Sequence, residues 1–225
     1  MEKEQSKLGF KLILSAVDES LHNEFMKSFY GFIDVKCEFS RFEDIEFDCI
    51  VSAANSFGLM DGGVDQCITD YFGIQMMHRV QGRILKEFAG EQPVGTSIIV
   101  LGDKEINTGH NKYVAHTPTM RVPRDVIDSD NPYKAMKAAL LAVQHHNMLI
   151  DCGEPHYAIN TRINTLVTPG LATLCGRVPY DVAAHQMALA TYHVMNPPKI
   201  INWYYASERD GQIQESRNKN NKTHD

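Results

Sequence analysis

Residues 48–65 read DCIVSAANSFGLMDGGVD. A short apolar run, Cys49 to Ala54, ends at Asn55, and a loop follows. Gly62 and Gly63 then open a helix-like segment that carries Asp65 near its start. The order is strand, polar loop, glycine pair, helix. Glycines let a ligand approach the main chain, and the free N–H groups of a first helical turn attract anions. The stretch therefore points to a phosphate-bearing ligand at the end of a buried strand.

A second glycine-containing loop, TPGLATLCGRVP (Thr168–Pro179), also follows a predicted strand and precedes a predicted helix. In open α/β sheets, ligands sit beyond the carboxyl ends of strands, where loops diverge. Two such loops can clasp a diphosphate from both sides through main-chain N–H donors. No GxxxxGK[ST] occurs, and no GxGxxG follows a strand, which disfavours ordinary triphosphate and dinucleotide folds.

The rest of the chain alternates strand and helix patterns. KLILSAVD (11–18) reads as a buried first strand, and SLHNEFMKSFYGF as a helix with Gly31 as its stop. VKCEFSRF is a second strand and DCIVSAA a third, apolar enough to be covered on both faces. The region from Gly63 to Ala89 reads as helical with a break near Gly73. VGTSIIVLGD and KYVAHTPTM are strands separated by the turn-rich EINTGHN. Asn131-Pro132 starts a helix that runs to about Met148, Pro132 suiting the first helical position. Leu166–Thr168 is the next strand, and Pro179 and Asp181 start a helix through about Met195. IINWYYAS reads as an edge strand or an apolar arm, and Asp151–Asn164 as a loop or small insertion. The expected architecture is a three-layer α/β/α sandwich around a mixed, largely parallel sheet, with one domain over 1–205 and a polar C-terminal tail over 206–225.

The 225 residues suit one large domain, and a formal charge of −6 argues against a nucleic-acid partner held on a broad basic surface. The five cysteines, Cys37, Cys49, Cys67, Cys152 and Cys175, have no CxxC spacing. They read as reduced, buried thiols of a cytosolic protein, with Cys175 the main exception as a candidate nucleophile. No stretch approaches the ~20 apolar residues of a membrane span.

VSAANSFGLMDGGVD resembles the macrodomain signature, in which a strand ends in an NAAN-like segment followed by a glycine-rich GGGVD-like loop. TPGLATLCGRVPYDVAAHQMALA resembles that family's second loop and following helix, and HTPTM the strand before its long helix. The resemblance covers roughly Leu12 to Met195. It implies a site for ADP-ribose or an ADP-ribosylated substrate, with no cofactor and no metal. Ala53, Ala54 and Asn55 would line it, with Asn55 on the distal ribose. Gly62, Gly63 and Val64 would present amides to the distal ribose and its phosphate. Gly170, Leu171, Ala172, Thr173, Leu174, Cys175 and Gly176 would wrap the diphosphate from the other side. Asp65, with Asp61 as a possible sharer and Asn55 fixing the ribose, would orient water or accept a proton. For the adenine-reading acid, Glu43 and Asp44 are the candidates, with Asp44 preferred.

Three positions depart from the family pattern. Ser52 replaces the first asparagine, at a position expected to point along the strand and to tolerate change. Asp61 stands where family members often have another glycine. Leu174 stands where the second loop commonly has glycine, and a leucine there resists positive φ and narrows the loop.

Plain readings stand beside these. Asn55 suits a strand-end turn, and Asp65 suits a first helical turn on dipole grounds alone. His116 reads as a core histidine, and His145-His146 face different directions on a helix, which disfavours a shared metal. Arg121 and Arg124 are either solvated or hold a ligand extension. The expected function is hydrolysis of an ADP-ribosyl conjugate. The alternatives are a non-catalytic reader and a protein that sequesters an ADP-ribose-type signal, and nucleic acid enters only as an ADP-ribosylated substrate.

Overall fold

A computed structural model describes residues 8–102, 111–155 and 160–217. Its elements in chain order are β1 (Lys11–Ala16), α1 (Glu19–Ser28), β2 (Val35–Phe39), β3 (Cys49–Asn55), α2 (Gly63–Phe72), α3 (Ile74–Phe88) and β4 (Ile98–Leu101). They continue with β5 (Tyr113–Met120), α4 (Asn131–Asp151), β6 (Thr165–Thr168), α5 (Tyr180–Met195) and α6 (Trp203–Arg217). The strands form one sheet in the order β2-β1-β6-β3-β5-β4. Every pairing is parallel except β4 with β5, so the expected mixed, largely parallel sheet is present.

The strand pleat sorts the core into two layers. Leu12, Leu14, Cys49, Val51, Ala115 and Leu166 face one side, where they meet Phe25 of α1, Met136 and Leu140 of α4, and Met187 of α5. Ile13, Ile50, Val114 and Val167 face the other, against Ile68 of α2 and Met76, Val80 and Ile84 of α3. Helices thus cover both faces, which is why the central strands carry near-continuous apolar runs.

Local signals explain several helix boundaries. The Asp18 carboxylate caps α1 by accepting from the amides of Ser20 and Leu21. Gly73 separates α2 from α3 with φ 82, at the predicted break. Pro132 sits in the first turn of α4, which runs on to Asp151, three residues past the expected end.

The C-terminal segment differs from expectation. IINWYYAS is neither edge strand nor arm: α6 begins at Trp203 and crosses the 205/206 boundary expected for a tail. Asn202 is the local signal for this helix start. Its Oδ1 accepts from the Tyr205 amide at 2.9 Å, an N-cap bond. Three further contacts seat the helix. Arg217 Nη2 lies 2.9 Å from Asp130 Oδ1, Arg209 Nη1 donates to Tyr133 Oη at 3.2 Å, and His193 Nε2 pairs with Gln212 Oε1 at 2.7 Å. Residues 218–225 and most of EINTGHN lie outside the described residues. No helix among the described residues is long and apolar enough to cross a membrane.

Candidate active site

The carboxyl ends of β3, β5 and β6 meet at one cleft, where the strand order places the two glycine loops face to face. The β3–β5 register slips between Ala54 and Asn55, a bulge at the cleft floor, and pairing resumes at Asn55 with Met120.

Asn55 organises the first wall. Its Oδ1 accepts from the amides of Phe57 (3.0 Å) and Leu59 (3.3 Å), and its Nδ2 donates to the Leu59 carbonyl (2.8 Å). The plain turn reading therefore describes what this side chain does here, leaving one Nδ2 hydrogen for a ligand. Thr69 Oγ1 pins the Met60 carbonyl at 2.8 Å, and the Gln92 amide pins that of Ser56 at 2.8 Å. Gly63 turns the chain into α2 with φ 57, a conformation that suits glycine. No side chain caps α2, whose N-cap is Gly62. The first-turn amides thus keep their affinity for an anion, aided by the helix dipole.

Asp65 sits in that first turn and is 6% exposed. Ser52 Oγ donates to its Oδ1 at 2.5 Å. Burial raises the carboxyl to about 6, the Ser52 bond opposes that rise, and the nearby Asp61 adds to it. Position 52 therefore does not point along the strand; its side chain is fully buried and holds Asp65.

Main-chain packing builds the second wall. The residues in left-handed conformations are Ala172 (φ 59) and Arg177 (φ 55). Leu174, where a positive φ was the concern, is not among them. At Gly176 a Cβ would lie 2.4 Å from the Ala172 carbonyl oxygen and 2.9 Å from Val126 Cγ2, so only glycine fits. The Ala172 carbonyl also accepts from Val178 N at 3.1 Å, and the Gly176 carbonyl from Val126 N at 3.0 Å. The loop is thereby tied to the 121–130 segment.

Ala53, Ala54, Asn55, Asp61, Gly62, Gly63, Val64 and Asp65 line one side of the cleft, and Gly170, Ala172, Leu174 and Cys175 line the other. Four expected residues do not line it. Leu171 is fully buried in the main core, and Gly176 lies behind the loop surface. Thr173 turns its Oγ1 toward the Gly170 carbonyl at 3.4 Å. Asp44 ends a short 3-10 helix and faces a separate groove with Lys11, Glu38 and Asp48.

Leu59, Thr119, Met120 and Pro123 line the cleft without having been expected. The parallel pairing of HTPTM beside β3 is what brings Thr119 and Met120 there, and Thr119 Oγ1 donates to the Ala54 carbonyl at 3.3 Å. The cleft's volume is about 140 Å³. Pockets that enclose a drug-sized ligand run to ~300–1,000 Å³. A nucleoside-diphosphate sugar would therefore lie partly outside it or spread the loops.

Of the remaining candidates, His116, His146 and Arg121 do not line the cleft, whereas Cys175 does. His116 is buried, its Nδ1 is 2.7 Å from Gln92 Oε1, and burial lowers its imidazole to about 3. His146 Nε2 lies 3.0 Å from the Thr161 carbonyl oxygen. Arg121 pairs with Glu91 at 2.7 Å. The cysteines are not uniformly buried as expected: Cys152 and Cys175 are exposed, whereas burial pushes the Cys37 thiol up to about 11.

A model of the Macro domain family matches residues 51–187. An uncharacterised protein of Aquifex aeolicus (strain VF5) is 29% identical over 158 residues, which is 69% of this chain and 79% of that protein. The macrodomain of Mycobacterium tuberculosis DarG superposes with a TM-score of 0.50 at 12% identity, over 69% of this chain and 88% of its own. A point variant of the Oceanobacillus iheyensis macrodomain with ADPR superposes with a TM-score of 0.52 at 13% identity, over 94% of this chain and 96% of its own. At such identities the solved structures speak for the fold, and the family match spans most of β3, its glycine loop and the second loop. This chain belongs to the Macro domain family.

Proposed function

We propose that the cleft binds ADP-ribose, free or attached to another molecule, and that the protein hydrolyses an ADP-ribosyl conjugate. One observation carries this reading: the uncapped first turn of α2 and the buried Asp65 share a cleft with a facing main-chain loop. The helix end attracts phosphate, while the glycines admit it closely. A chain of net charge −6 needs such local donors to hold an anion. Family membership and the Oceanobacillus macrodomain variant with ADPR support the choice of ligand.

The chemistry assigned to this chain's residues is modest. Asp65, near 6, is largely ionised at neutral pH yet close enough to it to take up a proton. It would orient water or accept its proton beside the distal ribose. Asp61 at the cleft edge raises that basicity. Asn55 acts chiefly through the loop it shapes, with its remaining N–H available to the ribose. Leu59, Met120 and Pro123 supply apolar wall, which limits water around the sugar.

The second reading, binding without turnover, draws on the engagement of Asn55 and of one Asp65 oxygen within the protein. Calorimetric titration with ADP-ribose tests binding, and a dissociation constant weaker than millimolar refutes both readings. Asp65→Ala separates them. Loss of ADP-ribose release with binding retained supports hydrolysis, and unchanged release removes Asp65 from the chemistry.

A further inference from the structure

Asp65 is a buried carboxylate held by Ser52. Among the described residues one side chain donates to it, Ser52, and the charge acting on it is the acid Asp61. Ser52 lies on β3 in register with His116 of β5, and both are fully buried. Gln92 settles the histidine's tautomer. Its Nε2 donates to the His116 carbonyl at 3.1 Å, so Oε1 faces Nδ1, and Nδ1 carries the hydrogen. The ring is neutral because burial disfavours its cation. The sheet thus offers Asp65 a hydroxyl, with an uncharged ring in register beside it, and among the described residues no cation acts on the carboxylate. Around the cleft the other titratable groups are Asp61 and the Cys175 thiol.

We propose that Ser52 is a positioning residue for Asp65, its hydroxyl holding Oδ1 against the sheet and leaving Oδ2 to the ligand. The inference rests on the reading of the cleft as an ADP-ribose site. A buried carboxylate without a cation depends on whatever hydrogen bonds reach it. When the Ser52 donor goes, the ionised form loses its compensation and the carboxyl keeps its proton to higher pH. The same loss frees the side chain to rotate, so the atom that faces the ribose is no longer set. Position 52 then governs both where the carboxylate points and the pH at which it works.

The test compares Ser52→Ala with Ser52→Thr, which keeps the hydroxyl, after circular dichroism shows each folded. The Asp65 carboxyl is titrated by carbon-detected NMR in the free protein, and ADP-ribosyl release is followed from pH 5 to 8. In the alanine variant the Asp65 midpoint is expected to rise by about one unit, a tenfold change in its ionisation constant. The acid limb of the release profile should move with it, and threonine should restore both. A folded alanine variant with an unmoved midpoint, or a loss of release that is the same at every pH, overturns the proposal. If the wild-type protein does not bind ADP-ribose, the functional reading falls, while the midpoint in the free protein still decides the role of Ser52.

Discussion

The two walls of the cleft reach the same task by different means. The first, 55–65, is shaped by side chains: Asn55 ties its loop, Thr69 pins Met60, and Ser52 holds Asp65. The second, 170–176, is shaped by the main chain, with left-handed Ala172 and a Gly176 against which the Ala172 carbonyl packs. Side-chain bonds can be removed one at a time, and those of the first wall include a group that titrates near 6. Main-chain packing has no such gradation. The first wall is therefore expected to answer to pH and to graded mutation, and the second to fail as a unit.

The largest effect should come from Gly176→Ala. The added carbon meets a carbonyl oxygen at 2.4 Å, which a flexible side chain cannot relieve. Overpacking of this kind costs about 1–3 kcal/mol, and the loop must shift to absorb it. ADP-ribose affinity measured by calorimetry should fall by roughly 100-fold, the equivalent of ~2.7 kcal/mol, equally at pH 5 and pH 8. A pH-dependent loss would break the contrast between the walls.

Asp65→Asn comes next and should move activity and stability in opposite directions. Release of ADP-ribose should drop by up to about 100-fold, the low end of what a general base contributes. The stability effect follows from the raised carboxyl. Below its ordinary value of 3.8 the group is protonated in both folded and unfolded chains and contributes nothing. As pH rises from 3.8 to about 6 the unfolded chain loses the proton first, so folding is progressively disfavoured. Above 6 the full penalty, on the order of 2–3 kcal/mol, applies. The asparagine variant, which still accepts from Ser52, should therefore be more stable than wild type at pH 8 by that order. The gain should vanish below pH 4, as thermal melts across the range will show.

Asn55→Ala removes three hydrogen bonds from one turn. A loss of ~1–3 kcal/mol is expected, with ADP-ribose affinity reduced about tenfold because the loop, rather than a ligand contact, is lost. A stability change under about 0.5 kcal/mol in denaturant melts would mean that the turn closes without its asparagine. The smallest effect belongs to Gly63→Ala. No atom lies within 4 Å of the added carbon, so the strain of φ 57 acts alone, about 1 kcal/mol. Set beside Gly176→Ala, it separates backbone strain from steric exclusion.

Much of the fold is readable from pattern. The apolar runs at 11–16 and 49–54 announce strands covered on both faces, and the glycines at 62–63 announce a helix start. Each depends on residues close in sequence. Where pattern and structure part, the cause is tertiary. Asp44 looks like a suitable acid after β2, yet the short helix carrying it turns toward another groove. Leu171 and Thr173 fall inside a glycine loop but face the core and the loop's own carbonyl. Trp203 and Tyr204 look like strand residues, yet Asn202 and the contacts of Arg209, Gln212 and Arg217 make the segment a helix.

Sequence alone determined the strand–loop–helix order, the glycine-led helix start and the family, because periodicity, glycine placement and motif spacing are local properties of a chain. Tertiary structure decided which groups share the cleft and in what state. Only folding sets Ser52 beneath Asp65, aligns it with His116 and removes both from water. A carboxyl group's ionisation depends on the dielectric and the donors around it, and those are supplied by residues distant along the chain.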